Sequence, residues 1–554
     1  LARPVTDAFD AKPTLRERVR TLGEPFVRES GPLDGAAARL RRPFDRRWYA
    51  RKGGLDALAR LGADVERAAP RASGPRVLVV SLRSWTTHAA TEGVIALALR
   101  MRGADVALLT CGGGLPICEM GWPRKAAPRP CDVCAHFTGG MGDAVRLPRF
   151  SVVDGLPWGR DPRAAPARPT TGTEPDRLVS AAWFVKSADV GAAPGGERVA
   201  ADFAVSGEGV SAAVERVLDR FDPQVVFGLN GLFDAERAIM RAAEARGLRT
   251  PTYEMAPRAG AMIFAQDSRA PDMDTAALWE AVRDRPLEPE QERAVGRLLS
   301  DRVSGVGAHE TYFEVQLDDA AAVRRELGVP DGARVVSAFT NLAWDSALLG
   351  KDIAFPSMFD WLARAVQAVA ARPDWFLVVR VHPAEVRHGT GQPAVDELAA
   401  RVGSLPPNVR LVGPSEAISS YAVLGLTDLV LAYTSTVGLE AAVRGIPVAV
   451  AGSTHYRGRG FTVDLDADGD LERVLDAPPA RDEARAELAR RYAFTYFFRF
   501  MTPFPAVRTE GATVVGVPAG ADALQPGRDP YLDLVCDRIL DGGAFTVPDE
   551  LAAP

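Results

Sequence analysis

The sequence predicts an α/β fold of two doubly wound, Rossmann-like domains, and three observations support this prediction. Short apolar segments typical of buried parallel strands alternate with longer segments of helical periodicity, and the alternation occurs twice along the chain. The chain has 554 residues, whereas a single hydrophobic core stops growing at about 250–300 residues. Several apolar segments end in polar residues, as parallel strands do at the edge of a sheet that binds a ligand.

The alternation divides the chain into four parts. Residues 1–75 are rich in arginine and contain a helical segment, which predicts an N-terminal helical appendage. We expect residues 76–330 to form the first Rossmann-like domain and residues 331–480 to form the second. Residues 481–554 are expected to form C-terminal helices.

In the first domain, apolar runs predict strands and amphipathic runs predict helices in the order of a βαβ unit. Proline and glycine are frequent between residues 154 and 196, which predicts loops there. The strands are expected at 76–82, 106–111 and 225–230, and the helices at 92–103, 209–221 and 236–247.

The second domain repeats this pattern after a break near residues 320–334. A helix-like segment follows each of its apolar runs, which favours a parallel sheet. The strands are expected at 334–340, 376–382, 409–413, 429–433 and 446–451, and the C-terminal helices at 487–501 and 529–543.

Composition and charge exclude several classes of protein. Hydrophobic residues make up 47% and charged residues 25% of the chain, and no apolar run approaches the ~20 residues of a membrane-spanning helix. The formal net charge of -6 argues against a nucleic-acid partner, which needs a broad basic surface. No signal peptide is recognisable at Leu1, and acidic residues in the first 75 speak against a transit peptide, so a cytoplasmic location is expected.

Residues 429–460 carry the strongest indication of a ligand site. An apolar run gives way to Thr434, Ser435 and Thr436, whose hydroxyl and backbone N–H groups begin a helix and suit a phosphate. Glu440 follows one turn later, where a carboxylate can accept hydrogen bonds from ribose hydroxyls. The alternative is that the hydroxyl residues only cap the helix.

A second apolar run, within residues 374–385, ends in a cation, an imidazole and a carboxylate, namely Arg380, His382 and Glu385. Because the carboxyl ends of parallel strands share one edge of the sheet, these residues and Ser435 are expected to line one crevice. A later polar loop is expected to join them, and it contains His455, Tyr456, Arg457 and Arg459.

Five segments together resemble the bacterial glycosyltransferases of capsule and surface-polysaccharide biosynthesis, a group that includes the Kdo transferases. The resemblance spans about residues 76–510 and is strongest over about 335–465. The segments are FTNLAWD (339–345), RVHPAE (380–385), SSY (419–421), YTSTVGLEAAVRGIPV (433–448) and HYRGRGFT (455–462).

The resemblance implies a GT-B fold, in which two Rossmann-like domains face a cleft and the C-terminal helices cross back onto the first domain. It implies that His382, Ser435 and Thr436 bind the phosphate of a nucleotide-sugar donor and that Glu440 binds its ribose. The donor is left open among CMP-, UDP- and GDP-linked sugars. The partners implied are this donor and a carbohydrate or small-molecule acceptor, with peripheral association with a polysaccharide-assembly complex as a further option.

In a GT-B fold the first domain holds the acceptor, so the general base is sought after its first strand. His88 and Glu92 lie in the segment 81–93, which is predicted to be a loop, and either can take a proton from an acceptor hydroxyl. The structural alternatives are a polar loop residue and a carboxylate that interacts with a helix dipole. Further sugar or acceptor contacts are sought at Asn230, Asp234, Glu254, Asn341, Asp345 and Lys351, for which ordinary turn chemistry is the alternative.

Sugar transfer would proceed without a catalytic metal. Ser435, Thr436, the helix dipole and Arg457 or Arg459 would stabilise the departing phosphate. Two other classes use the same fold. A nucleotide-sugar 2-epimerase would act on the donor alone, and a non-catalytic component of a polysaccharide-assembly complex would need no intact donor site.

Four of the five cysteines lie within 24 residues, as C-x6-C-x12-C-x2-C, in a segment predicted to be a loop at 111–134. The four are Cys111, Cys118, Cys131 and Cys134. In a reducing compartment this concentration predicts a structural zinc site with a closed ligand shell. An iron–sulfur cluster is the alternative metal, and buried, unligated thiols are the alternative without one.

Overall fold

A computed structural model describes residues 34–121, 131–170, 178–305, 316–346 and 348–552 of the chain. Residues 1–33 of the predicted N-terminal appendage, and residues 122–130 of the predicted cysteine-rich loop, lie outside the described residues. The strands are β1 (Arg76–Val80), β2 (Asp105–Thr110), β3 (Arg149–Ser151), β4 (Val225–Leu229), β5 (Thr252–Met255), β6 (Ala261–Ala265), β7 (Arg334–Phe339), β8 (Trp375–Arg380), β9 (Val409–Val412), β10 (Leu429–Ala432), β11 (Val448–Val450), β12 (Val463–Asp464), β13 (Met501–Pro503), β14 (Arg508–Glu510) and β15 (Thr513–Gly516).

Helices connect these strands and cover both faces of the two large sheets. The helices are α1 (Asp34–Lys52), α2 (Leu55–Ala68), α3 (Thr86–Met101), α4 (Cys131–Val145), α5 (Leu178–Val185), α6 (Gly196–Phe221), α7 (Asp234–Glu244), α8 (Ala276–Val282), α9 (Pro289–Ser304), α10 (Ala320–Glu326), α11 (Met358–Ala370), α12 (Ala384–His388), α13 (Ala394–Val402), α14 (Ser420–Gly425), α15 (Val437–Val443), α16 (Asp470–Asp476), α17 (Glu483–Phe494) and α18 (Pro530–Asp541).

The first sheet has seven strands in the order β13-β6-β5-β4-β1-β2-β3. Strands β1 to β5 run parallel. At one edge β6 pairs antiparallel with β5, and β13 pairs antiparallel with β6. The strand order reverses between β1 and β4, where Val79 pairs with Leu108 on one side and with Phe227 on the other. Ligands of doubly wound sheets bind outside the carboxyl ends of the strands at such a reversal.

The second sheet has six parallel strands in the order β12-β11-β10-β7-β8-β9. Strand β8 is buried along its whole length, as expected for a strand covered by helices on both faces. The order reverses between β7 and β10, so the residues after Phe339 and Ala432 flank the ligand-binding position of this sheet. The predicted class of two Rossmann-like domains is confirmed by these two sheets.

Two local predictions are wrong. Helix α3 begins at Thr86, so His88 and Glu92 lie on its first two turns and not in a loop. Their spacing of four residues places both on one face of the helix. The predicted cysteine-rich loop 111–134 includes the start of α4, so Cys131 and Cys134 lie on the first turn of a 15-residue helix.

The chain returns to the first domain after the second sheet is complete. A π-helical turn at Thr495–Phe500 follows α17 directly, and β13 then pairs with β6 in the first sheet. Helix α18 packs on the first domain, where Leu532, Val535 and Ile539 share a hydrophobic core with residues of α3. Over the ranges that the structure describes, no helix combines the length and apolar composition needed to cross a bilayer.

Candidate functional site

The first wall of the candidate site lies at the carboxyl edge of the second sheet, where His382 follows β8. The backbone N–H of His382 donates to Thr340 Oγ1 at 2.9 Å, and its ring Nδ1 accepts the N–H of Ala384 at 3.1 Å. A ring nitrogen that accepts a hydrogen bond carries no proton, so the proton of the neutral ring is on Nε2. His382 is therefore held with a hydrogen-bond donor at Nε2. Thr340 orients it, although the sequence analysis did not select that residue.

The turn between β10 and α15 forms the neighbouring part of this wall. Ser435 Oγ accepts the N–H of Val437 at 3.3 Å, and the carbonyl of Ser435 accepts the hydroxyl of the buried Tyr456 at 2.7 Å. Thr436 comes next and makes no capping contact with its own side chain. Gly438 permits the close approach of Tyr456, since a Cβ atom there would lie 2.3 Å from the phenol oxygen. Tyr456 thus supports the turn from within the core.

Other predicted donor residues are engaged within the protein. The guanidinium of Arg457 donates to the carbonyls of Val450 (2.9 Å) and Leu465 (2.7 Å) and contacts Asp466. Arg380 is 2% exposed and donates to the carbonyl of Gly413 at 2.7 Å, and burial lowers its pKa to about 10. The structure gives both arginines contacts that hold loops in place. Their donor-binding role stays a prediction.

Two predicted carboxylates are also buried. Glu440 is fully buried, and its Oε1 accepts Nη2 of Arg302 at 2.8 Å. Glu385 accepts the N–H of Ala394 at 3.4 Å, and burial raises its pKa to about 7. The ribose-binding role of Glu440 stays a prediction, because the structure shows its carboxylate in an ion pair.

His455 and Arg459 lie where the second domain meets the C-terminal helices. The His455 ring stacks on Tyr496 with centroids 3.7 Å apart, and its Nδ1 lies 3.0 Å from the Tyr492 hydroxyl. Burial lowers the pKa of His455 to about 3, so the ring is neutral at ordinary pH. Arg459 donates to the carbonyl of His455 and to Thr275 Oγ1, both at 3.3 Å.

The second wall lies in the first domain, where Tyr253 connects the two predicted catalytic residues. Its hydroxyl donates to Glu92 Oε1 at 2.7 Å and lies 3.3 Å from His88 Nδ1. Because the phenol proton is directed to Glu92, the phenol oxygen can accept a hydrogen bond from the N–H of His88 at Nδ1, which leaves Nε2 as an acceptor. The three side chains form a chain of the kind that orients a general base.

Burial shifts the pKa values of Glu92 and His88 in opposite directions. It raises the pKa of Glu92 to about 7, against the opposing effects of Ser81, Tyr253 and Arg83. It lowers the pKa of His88 to about 4, and the positive charge of Arg83 acts in the same direction. In both cases the cause is that burial disfavours the charged form.

These shifts predict a measurable pH dependence of stability. The pKa of Glu92 is raised, so its contribution to the free energy of unfolding is present below about pH 4.5 and is lost as the pH rises through 7. The pKa of His88 is lowered, so its contribution is present above about pH 6.5 and is lost as the pH falls through 4. Between about pH 5 and pH 6.5 the two contributions oppose each other.

Urea unfolding midpoints across that range would measure the effect. Relative to the original chain, Glu92→Gln is expected to become more stable with rising pH, and His88→Asn less stable. If rising pH changes the stability of both variants in the same direction relative to the original chain, or changes neither, the assignment of the two pKa shifts is contradicted.

The cleft between the walls brings together residues from both domains. Asn230 Nδ2 donates to Glu254 Oε2 at 2.8 Å; Asn230 follows β4, and Glu254 is the last residue but one of β5. Burial raises the pKa of Glu254, and the negative charge of Asp345, which follows β7, adds to this effect. Asn230 and Glu254 are thus in contact, and Trp183 of the first domain packs against Leu342, Trp344 and Ala384, which follow β7 and β8 of the second sheet.

Lys186 is the cleft residue that the sequence analysis missed. Its Nζ lies 3.8 Å from the ring centroid of Trp183 and 3.7 Å from that of Trp344, so one ring comes from each domain. Burial lowers the pKa of Lys186 to about 7, while the negative charge of Asp345 opposes the shift. No pattern in the sequence indicates this site, because the two tryptophans are far apart in the chain.

The other predicted contacts are placed as follows. Asp234 is buried and donates its N–H to Ser180 Oγ at 2.8 Å, beside the buried Arg83–Glu119 ion pair. Asn341 donates its N–H to Met358 Sδ at 3.3 Å. Lys351 Nζ lies 3.5 Å from Asp272 Oδ1. Their roles stay predictions.

The zinc prediction is not supported. All four cysteines of the cluster line one cavity. Within the described ranges, however, no three His, Cys, Asp or Glu side chains lie close enough together to ligate one metal ion.

Comparison with known proteins supports the class. Residues 348–498 match the model of a family described as Capsule polysaccharide biosynthesis protein. This confirms the predicted resemblance over the second domain and the start of the C-terminal region. The two Rossmann-like sheets agree with the predicted GT-B fold. The match covers part of the chain, and over that part the chain is similar to the family of capsule polysaccharide biosynthesis proteins.

Solved structures give more distant similarities. The beta Kdo 2,4 transferase KpsC of Thermosulfurimonas dismutans is 18% identical over 48% of this chain and 78% of its own, with a TM-score of 0.32. A putative UDP-N-acetylglucosamine 2-epimerase from Listeria monocytogenes is 13% identical over 75% and 91%, with a TM-score of 0.26. The glycosyltransferase SnogD from Streptomyces nogalater is 16% identical over 77% and 95%, with a TM-score of 0.24. No curated protein matches the sequence.

Proposed function

We propose that this protein transfers a sugar from a nucleotide-activated donor to a hydroxyl of a carbohydrate or small molecule. The observation that carries the proposal is the meeting of the two domains in one cleft, where Lys186 Nζ lies over the rings of both Trp183 from the first domain and Trp344 from the second. Each sheet has a reversal of strand order, which is the ligand position of a doubly wound sheet. Two substrates bound there, one per domain, would meet between the walls.

The donor would bind at the second sheet, with its phosphate near His382 and the turn at Ser435 and Thr436. His382 presents a proton at Nε2, because its Nδ1 accepts the Ala384 N–H. Hydrogen bonds from such groups strengthen as negative charge develops on the departing phosphate. Lys186 lies in the cleft itself. We therefore propose Lys186, in preference to Arg457, as the cation that stabilises the negative charge of the departing phosphate. The CMP-, UDP- and GDP-linked sugars remain the donor candidates.

The acceptor would bind at the first sheet, and His88 would take the proton from its hydroxyl. The contact with Tyr253, which in turn donates to Glu92, supports this assignment because it leaves Nε2 of His88 as an acceptor. Glu92 is 4% exposed, so it would act as a positioning residue through Tyr253 and would not contact the acceptor. The departing nucleotide leaves with the electrons of the sugar–phosphate bond, and no step requires a catalytic metal.

A nucleotide-sugar 2-epimerase is the second candidate. It is favoured by two carboxyl groups, Glu254 at the end of β5 and Asp345 in the segment after β7, since epimerisation needs acid and base groups close to the donor sugar. Turnover of the donor without any acceptor would support it over transfer. Association with a polysaccharide-assembly complex is a further proposal, tested by co-purification with such a complex.

The donor assignment predicts a specific response to nucleotides. Calorimetric and thermal-shift titrations with CMP, UDP, GDP and dTDP are expected to show stabilisation by one of them, about 2.7 kcal/mol at a concentration of 100 times Kd. His382→Ala and Ser435→Ala are expected to weaken binding about 10- to 100-fold, because each removes a hydrogen bond to a charged phosphate. His136→Ala and Ser304→Ala, both exposed residues, serve as matched controls. Binding that is absent in the original chain, or unchanged in both site variants, would disprove the assignment.

A further inference from the structure

Four cysteines that the proposed function does not use surround one buried space. Cys111 follows β2, Cys118 precedes a short helical turn, and Cys131 and Cys134 lie on the first turn of α4. All four line a single cavity, which we call the cysteine cavity. The rest of its lining is mainly apolar, with Leu82, Leu115, Val152 and Val210 among its members.

The four thiols are close enough to influence each other. Burial raises the pKa of Cys111 to about 12 and that of Cys131 to about 11, and Cys134 adds to both shifts through its charge. Burial likewise raises the pKa of Cys118, and the other three cysteines contribute. The cysteines are therefore one electrostatic group drawn from three segments of the chain.

The thiols surround a volume but do not converge on a point. A tetrahedral zinc site needs four sulfur atoms at about 2.3 Å from one ion. No group of three or more ligand side chains among the described residues has that convergence. An iron–sulfur cluster is larger than a single ion, because it contains its own bridging sulfides. Its iron atoms can bind thiolates that lie at different points around a cavity, and ligation by cysteine alone is typical of such clusters.

The segment of residues 112–114 comes close to the cysteines. Gly112, Gly113 and Gly114 all have positive φ, between 76° and 92°, and a Cβ atom at Gly113 would lie 3.5 Å from Cβ of Cys131. The backbone therefore turns tightly against the cavity. Hydrogen bonds to the sulfurs and exclusion of solvent are the protein features that hold and tune such clusters.

A dithiol redox centre is the competing use of Cys131 and Cys134, because they form a C-x2-C pair at a helix start. Such a centre needs two cysteines only. Here the pair shares one cavity with Cys111 and Cys118, so a dithiol centre would leave two of the four cysteines without a role.

We propose that the cysteine cavity holds an iron–sulfur cluster with Cys111, Cys118, Cys131 and Cys134 as its ligands. On binding, the four thiols release their protons and become thiolates. With four protein ligands the cluster has no open coordination position, so it joins β2 to α4 beside the buried Arg83 and does not take part in sugar transfer.

The test is analysis of the full chain purified without oxygen. We expect iron and acid-labile sulfide in stoichiometric amounts, with the broad visible absorption of a cluster. If the isolated chain contains no iron, reconstitution with ferrous iron and sulfide is expected to restore both. Cys118→Ser and Cys134→Ser are expected to lose the iron, while Cys536→Ala is expected to keep it, because Cys536 is buried in a separate hydrophobic core.

Several results would overturn the proposal. If the chain binds zinc and contains no sulfide, the site holds a single ion. If the four thiols bind no metal even after reconstitution, the cavity holds no cluster. Iron retained in both serine variants would show that other residues bind it. Because these results come from metal analysis, they do not depend on the nucleotide titrations, so failure of either proposal is recognised separately.

Discussion

Replacement of His88 by alanine is expected to lower the turnover number about 10²- to 10⁴-fold, the usual contribution of a general base. The physical reason is the loss of the imidazole whose Nδ1 lies 3.3 Å from the Tyr253 hydroxyl. Release of nucleotide from the donor, in the presence of an acceptor, measures the effect. Affinity for the nucleotide is expected to stay unchanged, because His88 lies on the first-domain wall.

Two companion variants separate a catalytic role from a structural one. Tyr253→Phe keeps a ring that stacks on Phe227, with centroids 5.4 Å apart, but removes the link between His88 and Glu92. It is expected to shift the pH profile of turnover and to lower the rate less than His88→Ala. The exposed His136 is the matched control. Full activity in His88→Ala together with its loss in Glu254→Gln would transfer the role of base to Glu254.

Disruption of the ion pair between Arg302 and Glu440 is expected to have the largest effect on stability. The Glu440 side chain is 1% exposed and that of Arg302 is 26% exposed, with Nη2 and Oε1 at 2.8 Å. Removing one partner of a buried pair leaves an uncompensated charge and costs about 3–5 kcal/mol. We expect Arg302→Met to be the more damaging change, because it strands the more deeply buried carboxylate. Urea unfolding midpoints measure the loss.

The same pair decides whether Glu440 is structural or binds ribose. The double variant Arg302→Met, Glu440→Met removes both charges and is expected to recover most of the stability, since replacing a buried pair by apolar residues is often neutral. If Glu440 binds ribose, Glu440→Gln should weaken nucleotide binding in a chain that unfolds at the original midpoint. A stable Arg302→Met variant would contradict the structural role.

The strands buried on both faces were the most predictable elements, because they are continuous apolar runs. The expected strands at 225–230 and 429–433 correspond to Val225–Leu229 and Leu429–Ala432, whereas the short strands β3, β12, β14 and β15 were not predicted. The start of α3 was missed because Thr86, Thr87 and His88 are polar, so the first turn lacks the apolar periodicity on which prediction depends. Helix α4 was missed for a similar reason, since its cysteines and glycines lack a strong helical pattern.

The candidate site was predictable only where its residues share a strand edge. His382 and Ser435 could be selected because both follow apolar runs. Arg457 fits the same pattern, yet three of its contacts are with Val450, Leu465 and Asp466. Sequence pattern places a side chain near an edge but does not determine its hydrogen-bond partners. Lys186 illustrates the converse, because its environment is created only by the approach of two domains.

The pairing of β13 with β6 also determines the order in which the molecule can be built during translation. Met262 pairs with Thr502. The whole second domain is therefore synthesised after Met262 and before Thr502. The second sheet is one continuous segment and can form first, whereas the edge of β6 stays open until the last strand arrives. An open edge is a place for mistaken pairing between chains, and contacts of such long sequence separation form slowly. The domain that is synthesised first is therefore the one that is completed last.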